Sequence, residues 1–372
     1  MYRTQFQEQN HPKDTQLINT MRFTLVCVCI LIGGNEIRGT AFTLTSVFGS
    51  TTDPNLPDRC YGGDLSESLK SGANDVVIVP QTDGTLKSTP LQMRVGKLSN
   101  WRTIFKSRKG KIAKLYINNV RVLPESRLIL SDSGSVFIKR RQSYPSCSFT
   151  NDELQSIMSY VRGRVNEGLL VVDDLDIELS FKIHILYQND RVVITDVDGT
   201  ITTSDIGGFI GGSILGREVA HPGVVEFFER VSSQGYIVVY LTARPIAFDE
   251  VTREYLFSTL QNVNGLADYY SMPNGPLFLS PISAEAALTA DADVMKRRTI
   301  KSLLDLFDVK QDVVVGAYGN KDTDTEAYLE SGIREDRVFQ INETSKMINI
   351  GTRKISTYNL QKNTIDEYYP KI

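Results

Sequence analysis

Two carboxylates stand close together in the segment Asp196-Val197-Asp198-Gly199-Thr200, directly after an apolar run. Carboxylates at the mouth of an apolar strand are costly unless a cation or a ligand neutralises them, and oxygen ligands combined with phosphate chemistry favour Mg²⁺. One carboxylate is suited to attack phosphorus, and the other to protonate the leaving oxygen. Gly199 permits a close approach of the backbone to a phosphate. The segment predicts a phosphoryl-transfer site, against the alternative of a solvated acidic turn.

Further polar residues follow the later apolar runs of the chain in order. Thr242 and Arg244 follow the second run, Lys296 lies in a predicted helix after the third, and Asn320 and Asp324 follow the fourth. Each residue alone has an ordinary explanation as a helix cap, a surface charge or an ion-pair partner. Together they supply the hydroxyl, the cation and the metal-binding oxygens that stabilise a transferring phosphoryl group.

The elements that must position these residues alternate between strand and helix from Arg191 onward. Strands are predicted at 192–194, 236–241, 276–279, 313–317 and 337–341, and helices at 223–234, 248–260, 293–307 and 322–331. Repeating strand–helix units indicate a doubly wound parallel sheet with helices on both faces. Because ligands bind beyond the carboxyl ends of such strands, the polar residues are expected to meet at one edge of the sheet.

The preceding half of the chain shows a different pattern of short β-type runs separated by polar turns. Strands are predicted at 75–79, 115–117, 127–130, 135–138 and 177–185, with a helix at 153–166 after a connector. Evenly spaced short strands indicate a small β-sandwich, which the alternating run 177–185 is expected to complete.

Composition sets the broad class of the protein. The chain has 372 residues, of which 41 are basic and 44 acidic, with a formal net charge of −3. The length fits two domains with sizeable cores, and the small net charge excludes a generally basic nucleic-acid binder. We divide the chain into a leader at 1–41, a sandwich and connector at 42–187 and a catalytic domain at 188–372.

The leader contains the apolar run Phe23–Gly34, which is too short to cross a bilayer as a helix. Arg22 precedes this run and small residues follow it, a layout typical of a signal peptide cleaved within 21–41. The alternatives are a short buried helix and a segment that touches a membrane. Outside the leader only Cys60 and Cys147 remain, either as a disulfide in an oxidising compartment or as two unlinked thiols.

The chain resembles the lipin family of phosphatidate phosphatases, within the haloacid dehalogenase superfamily. The resemblance rests on ITDVDGTITTSDIGG, GYIVVYLTARPIAFDEVTREYLF and GNKDTDTEAYLESGI in the second half, and on GANDVVIVPQTDGTLKSTPLQMRVGKL in the first. It implies a haloacid-dehalogenase-like doubly wound parallel sheet. It also implies an immunoglobulin-like β-sandwich formed by the N-terminal region and the strands just before the catalytic domain.

The same resemblance implies hydrolysis of phosphatidate to diacylglycerol and phosphate, with Mg²⁺ as cofactor and an aspartyl-phosphate intermediate. It makes Asp196 the nucleophile and a metal ligand, and Asp198 the general acid and base and a metal ligand. The other implied residues are Thr200, Thr242 and Lys296 at the phosphate and Asn320 and Asp324 at the metal, either of the last two binding it directly. Arg244 and Arg253 are candidates for headgroup contacts or for structural ion pairs.

Two other functions fit parts of this pattern. Some related domains lack the nucleophile and only bind phosphatidate, and other members of the superfamily hydrolyse soluble phosphoesters. The presence of both Asp196 and Asp198 favours an enzyme over a sensor.

The implied partner is phosphatidate in a membrane, and neither a nucleic acid nor a protein partner is predicted. A basic and aromatic segment is a candidate for contact with a peripheral membrane surface, against the alternative of a solvated hairpin. The residues of this segment are Trp101, Arg102, Ile104, Phe105, Lys106, Arg108, Lys109, Lys111 and Lys114. The family works in the cytosol and at the endoplasmic reticulum membrane, whereas a cleaved leader would place the chain in the secretory pathway, with Asn342 as a candidate glycosylation acceptor.

Overall fold

Two β-sheets organise the part of the chain that the computed structural model describes. The described residues are 70–96, 106–125, 127–140, 145–203, 219–258, 261–262, 269–281 and 291–372, all within one compact unit, Ser50–Ile372. The predictions made for the leader at 1–41, for Cys60 and for residues 101–105 lie outside the described residues. Among the described residues, no helix is long and apolar enough to cross a membrane.

The first half of the described chain forms a mainly antiparallel sheet. Its strands are β1 (Gly72–Ala73), β2 (Val76–Pro80), β3 (Leu86–Ser88), β4 (Met93–Arg94), β5 (Ile112–Ile117), β6 (Val120–Arg121), β7 (Leu128–Leu130), β8 (Val136–Ile138), β9 (Val165–Val172) and β10 (Ile177–Ile185). Eight of them form one sheet in the order β3-β2-β10-β9-β5-β7-β8, with β6 paired to β5. The strand predicted at 177–185 is confirmed as β10, which lies between β2 and β9.

The prediction of a helix over 153–166 is partly wrong. The helix α1 spans only Asn151–Met158, and β9 begins at Val165. Thr150 caps α1, because its hydroxyl accepts the backbone N–H of Glu153 while the Glu153 carboxylate accepts the N–H of Thr150. The strand β9 carries alternately buried and exposed side chains and pairs with both β10 and β5, so neighbouring strands decide its conformation.

The second half alternates strands and helices, as predicted. Its strands are β11 (Val192–Thr195), β12 (Ile237–Pro245), β13 (Gln261–Asn262), β14 (Tyr269–Tyr270), β15 (Leu277–Ser280), β16 (Val314–Gly319), β17 (Val338–Ile341), β18 (Met347–Asn349) and β19 (Ile355–Ser356). Its helices are α2 (Val224–Ser233), α3 (Asp249–Phe257), α4 (Asp291–Leu304), α5 (Asp322–Glu330), α6 (Tyr358–Asn363) and α7 (Ile365–Tyr368).

Seven of these strands form one sheet in the order β15-β12-β11-β16-β17-β18-β19. The first five are parallel, and β18 and β19 add an antiparallel edge. Successive side chains of β11 enter different cores: Val193 packs in the core that contains α2 residues such as Phe227, and Ile194 packs in the core that contains α4 residues such as Ile300. Helices therefore cover both faces of the sheet, which makes the central strand apolar on both sides.

The strand order places a crevice at the carboxyl end of β11. The chain runs outward from β11 through β12 to β15, and then returns to the other side of β11 as β16 and β17. At such a reversal, the loops that leave neighbouring strands diverge and leave room for a ligand. The loops after β11, β12 and β16 therefore surround one position.

Candidate active site

Asp196 lies at the centre of the crevice, one residue beyond β11. The Lys296 Nζ atom lies 2.7 Å from Asp196 Oδ1 and 2.5 Å from Asp324 Oδ1, and all three residues are buried. Burial raises the pKa of Asp196 to about 7, because the nearby Asp324 and Asp198 carboxylates offset the opposing effect of Lys296. Burial alone would lower the pKa of Lys296, but the carboxylates of Asp196 and Asp324 raise it, so the ammonium stays charged.

Asp198 faces residues at the carboxyl end of β12. The Arg244 guanidinium binds it in a bidentate manner, with Nη2 at 2.7 Å from Oδ1 and Nε at 3.0 Å from Oδ2. The Thr242 hydroxyl donates to Asp198 Oδ2 at 3.3 Å and accepts the backbone N–H of Arg244 at 3.1 Å. Arg244 is thus an ion-pair partner of the second carboxylate, one of the two roles expected for it.

The turn after β11 depends on the glycine of the motif. Gly199 has a φ of +75°, and a Cβ atom built there would lie 2.0 Å from Nδ2 of Asn320. Its N–H donates to the Thr202 hydroxyl at 3.0 Å, and the Thr200 hydroxyl lies 3.4 Å from Asp196 Oδ2. A glycine is therefore required both by the left-handed backbone and by the close approach of Asn320.

Asp324 organises the loop that brings Asn320 to the site. It lies in the first turn of α5, and its Oδ2 accepts the backbone N–H groups of Asn320 at 3.1 Å and Lys321 at 3.2 Å. Both carboxylate oxygens of Asp324 are therefore engaged, one by this loop and one by Lys296. By contrast, the buried Oδ1 of Asn320 has no hydrogen-bond partner.

All seven site residues predicted from the sequence meet in this crevice through direct contacts or through charge. Two further residues support the same turn and were missed by sequence reasoning. The buried His221 lies with Nε2 at 3.2 Å from the Gly199 carbonyl and Nδ1 at 2.8 Å from the Ser345 hydroxyl, and burial lowers its pKa. The Tyr358 hydroxyl of α6 donates to the Thr200 carbonyl at 3.0 Å. No spacing signal identifies them, because their roles depend on backbone groups distant in sequence.

Arg253, the other arginine considered for the headgroup, lies in a structural ion pair. Its Nη2 lies 2.9 Å from Asp75 Oδ1, and Asp75 is fully buried. Asp75 also accepts the backbone N–H groups of Lys182 at 2.7 Å and Leu277 at 2.9 Å. This arrangement joins the first sheet to β15 and α3, so Arg253 serves the fold.

Two other expectations concern residues of the first half of the chain. Cys147 is disulfide-bonded, so the alternative of an unlinked thiol does not hold for it, and its partner lies outside the described residues. The described members of the basic segment each bind other residues, and Arg108 is buried. Their contacts are Lys106 with the Asp174 carbonyl, Arg108 with the Gly96 carbonyl, Lys109 with Asp132, Lys111 with Asp174 and Lys114 with Asp173.

The crevice is suited to bind a phosphate ester and to transfer its phosphoryl group. It holds a buried carboxylate on an ammonium group, a second carboxylate held by a hydroxyl and a guanidinium, and an amide oxygen without a partner. Within the described part of the chain, no three His, Cys, Asp or Glu side chains are grouped as a metal site.

Comparison with known proteins gives matches over both halves of the chain. Residues 154–370 match the family model of LNS2 (Lipin/Ned1/Smp2), and residues 61–157 match that of the lipin N-terminal conserved region. The chain is 29% identical over 245 residues to nuclear elongation and deformation protein 1 of Schizosaccharomyces pombe. The aligned residues cover 62% of this chain and 36% of that protein.

Two further relatives carry enzyme names. The chain is 30% identical over 194 residues to phosphatidate phosphatase LPIN1 of Homo sapiens, covering 50% of this chain and 21% of that protein. It is 29% identical over 244 residues to phosphatidic acid phosphohydrolase 1 of Saccharomyces cerevisiae, covering 60% of this chain and 27% of that protein. The aligned region thus spans only 21% to 36% of the length of these three relatives.

Proposed function

The chain belongs to the LNS2 (Lipin/Ned1/Smp2) family, and we propose that it hydrolyses phosphatidate to diacylglycerol and phosphate. The observation that carries this proposal is the convergence of Asp196 and Asp198 with Lys296, Thr242 and Arg244 at the carboxyl end of β11. The names of the human and yeast relatives support phosphatidate as the substrate.

We also propose finer assignments of fold for the two halves of the chain. The parallel strand order and the positions of Asp196, Thr242 and Asn320 at the carboxyl ends of β11, β12 and β16 support a haloacid-dehalogenase-like catalytic domain at 188–372. The mainly antiparallel sheet, in which β10 pairs in parallel with β2 and antiparallel with β9, supports an immunoglobulin-like sandwich at 42–187, built from the N-terminal region and the strands just before the catalytic domain.

The donor groups of the crevice fit Mg²⁺, which prefers carboxylate and amide oxygens. The buried Oδ1 of Asn320 has no hydrogen-bond partner, as expected of an oxygen that binds a cation. Asp196, Asp198 and Asn320 would hold the ion, while Asp324 orients the loop that carries Asn320 and pairs with Lys296. When bound, Mg²⁺ would offset the negative charge of the carboxylates and of the phosphate oxygens.

The proposed reaction proceeds in two displacements. First, an Asp196 carboxylate oxygen attacks phosphorus, the bond from phosphorus to the glycerol oxygen breaks, and protonated Asp198 donates its proton to that oxygen, releasing diacylglycerol. Second, Asp198 accepts a proton from water as the water oxygen attacks the aspartyl-phosphate, which releases phosphate and restores Asp196. Lys296 and the Thr200 and Thr242 hydroxyls stabilise the phosphoryl oxygens during both steps.

Phosphate release from phosphatidate in detergent mixed micelles with Mg²⁺ tests the proposal. We expect Asp196→Asn to lower kcat by at least about 10³-fold, because it removes the nucleophile. We expect Asp198→Asn to lower kcat by about 10²–10⁴-fold, because it removes the acid and base. Asp132→Asn, an exposed substitution in the turn between β7 and β8, is the matched control and should leave kcat unchanged.

Two outcomes would overturn the proposal. Wild-type protein that binds phosphatidate vesicles but releases no phosphate would instead be a sensor. Release of phosphate from soluble monoesters, with none from phosphatidate, would identify a phosphatase of soluble substrates. Circular dichroism of each variant separates loss of catalysis from loss of fold.

A further inference from the structure

A groove of about 750 Å³ extends from the candidate active site along the edge of the second sheet. Gly199 and Asn320, which form the catalytic turn and the metal-binding loop, line its inner end. This volume is within the range of small-molecule sites. The groove therefore borders the turn that directly follows the two catalytic carboxylates.

The far wall of the groove is one face of the antiparallel edge of the sheet. Gln340 of β17 pairs with Ile348 of β18, which in turn pairs with Ile355 of β19, and all three side chains line the groove. Lys346 lies two residues before Ile348 and lines it as well. Residues at this spacing point to the same side of a strand, so the wall presents two isoleucines and one lysine beside a glutamine.

Ile355 is unusually exposed for its position, with 70% of its surface accessible. An isoleucine at a sheet edge beside a cleft exposes apolar surface that would be covered by a bound apolar group. Val309 has the same exposed fraction, 70%, but it does not line the groove and lies in the loop before β16, at the opposite end of the strands. Exposure alone does not distinguish these two residues, whereas continuity with the catalytic turn does.

The charged residues that line the groove favour binding of an anionic amphiphile. Lys321 and Lys346 line the groove, and Glu343 is the acidic side chain among its lining residues. Gln340 donates from Nε2 to Asp322 Oδ1 at 2.8 Å, which fixes its amide at the inner end of the wall. The groove thus passes from phosphate-binding groups, through amides and ammonium groups, to the isoleucine pair.

We propose that this groove binds the glycerol ester backbone and the first acyl methylenes of phosphatidate, and that Ile348 and Ile355 select a lipid phosphate over a soluble phosphate monoester. The proposal rests on the proposed function for the identity of the substrate. It assigns the β18–β19 edge a role in substrate selection that is separate from the chemical step.

The first test compares Ile355→Ser with the control Val309→Ser on two substrates, phosphatidate in mixed micelles and the soluble ester p-nitrophenyl phosphate. We expect Ile355→Ser to lower kcat/KM for phosphatidate about tenfold, mainly through KM, and to leave the soluble ester unchanged. Ile355→Leu should restore the wild-type value, and Val309→Ser should change neither substrate. Equal losses on both substrates, or the same loss in Val309→Ser, would overturn the proposal.

The second test does not depend on hydrolysis. Calorimetry of wild-type protein and Ile355→Ser with dihexanoyl phosphatidate and with inorganic phosphate measures the two affinities directly. We expect Ile355→Ser to weaken binding of the short-chain lipid severalfold and to leave phosphate binding unchanged. If the wild-type protein binds both with equal affinity, the groove does not recognise the lipid, whether or not the protein is a phosphatidate phosphatase.

Discussion

Two buried carboxylates, Asp75 and Asp196, lie in clusters that differ in their balance of acidic and basic groups. Asp75 faces the Arg253 guanidinium, the His184 ring at 3.4 Å and backbone N–H donors. Burial would raise its pKa, but Arg253 and His184 outweigh burial, so the pKa of Asp75 lies well below its ordinary value.

The cluster at Asp196 has more acidic groups than cations in contact with them. Lys296 is shared by Asp196 and Asp324, and Asp198 adds a further negative charge that Arg244 holds. Burial therefore raises the pKa of Asp196 to about 7. The comparison distinguishes a carboxylate that its cationic partners neutralise, which stabilises the fold, from one whose pKa is raised by burial and by neighbouring carboxylates, which is a candidate for chemistry.

The largest effect on stability is expected at the Asp75 cluster. Asp75→Ala leaves the Arg253 charge buried without its carboxylate and should lower the free energy of unfolding by about 3–5 kcal/mol, measured by urea denaturation. Glu178→Ala, which replaces an exposed carboxylate on β10 of the same sheet, is the control and should leave the urea midpoint unchanged. A loss of less than 1 kcal/mol in Asp75→Ala would show that the pair is not needed to join the sheets.

A pH-dependent effect is expected at Asp196 in metal-free protein. Because folding raises this pKa from 3.8 to about 7, the folded state binds the extra proton, and stability falls as the pH rises through that window. Asp196→Asn removes this dependence, so the free energy of unfolding of the variant, relative to that of wild type, should rise between pH 4 and pH 8 by an amount on the order of 2 kcal/mol.

The effect of Mg²⁺ on thermal stability tests the role of Asp196 without an activity assay. It should raise the thermal midpoint of wild-type protein at pH 8 and have a much smaller effect on Asp196→Asn. Parallel pH profiles for the two proteins in EDTA, or equal stabilisation of both by Mg²⁺, would contradict the proposed role of the carboxylate.

The smallest effect is expected from His184→Gln. This change removes one contact of Asp75 but retains Arg253 and the backbone donors, so it should cost about 1 kcal/mol in urea unfolding. Activity should be unchanged, because His184 lies outside the crevice. A loss as large as that of Asp75→Ala would mean that His184, rather than Arg253, supports the buried carboxylate.

Most elements of the second half were predictable because their signals are local. The continuous apolar run at β11 indicates a strand that is buried on both faces. The amphipathic pattern of α2 indicates a helix that is buried on one face. The elements β18, β19, α6 and α7 were not predicted, and β9 was predicted in part as helix. The conformations of these segments depend on partners distant in sequence, which no local pattern records. β18 pairs with β17 and β19 with β18, α6 packs against α2, and β9 pairs with β5 and β10.

The sequence by itself determined which groups the site contains, because the order of the acidic, hydroxyl and basic residues after successive apolar runs is a local property. Only the tertiary structure decided how each group is used. In the folded protein, Asp324 binds the loop that carries Asn320 and pairs with Lys296, while the Oδ1 atom of Asn320 has no hydrogen-bond partner. Arg244 pairs with Asp198, whereas Arg253 pairs with Asp75. The reason is that charge balance and burial depend on neighbours distant along the chain, which only packing brings together.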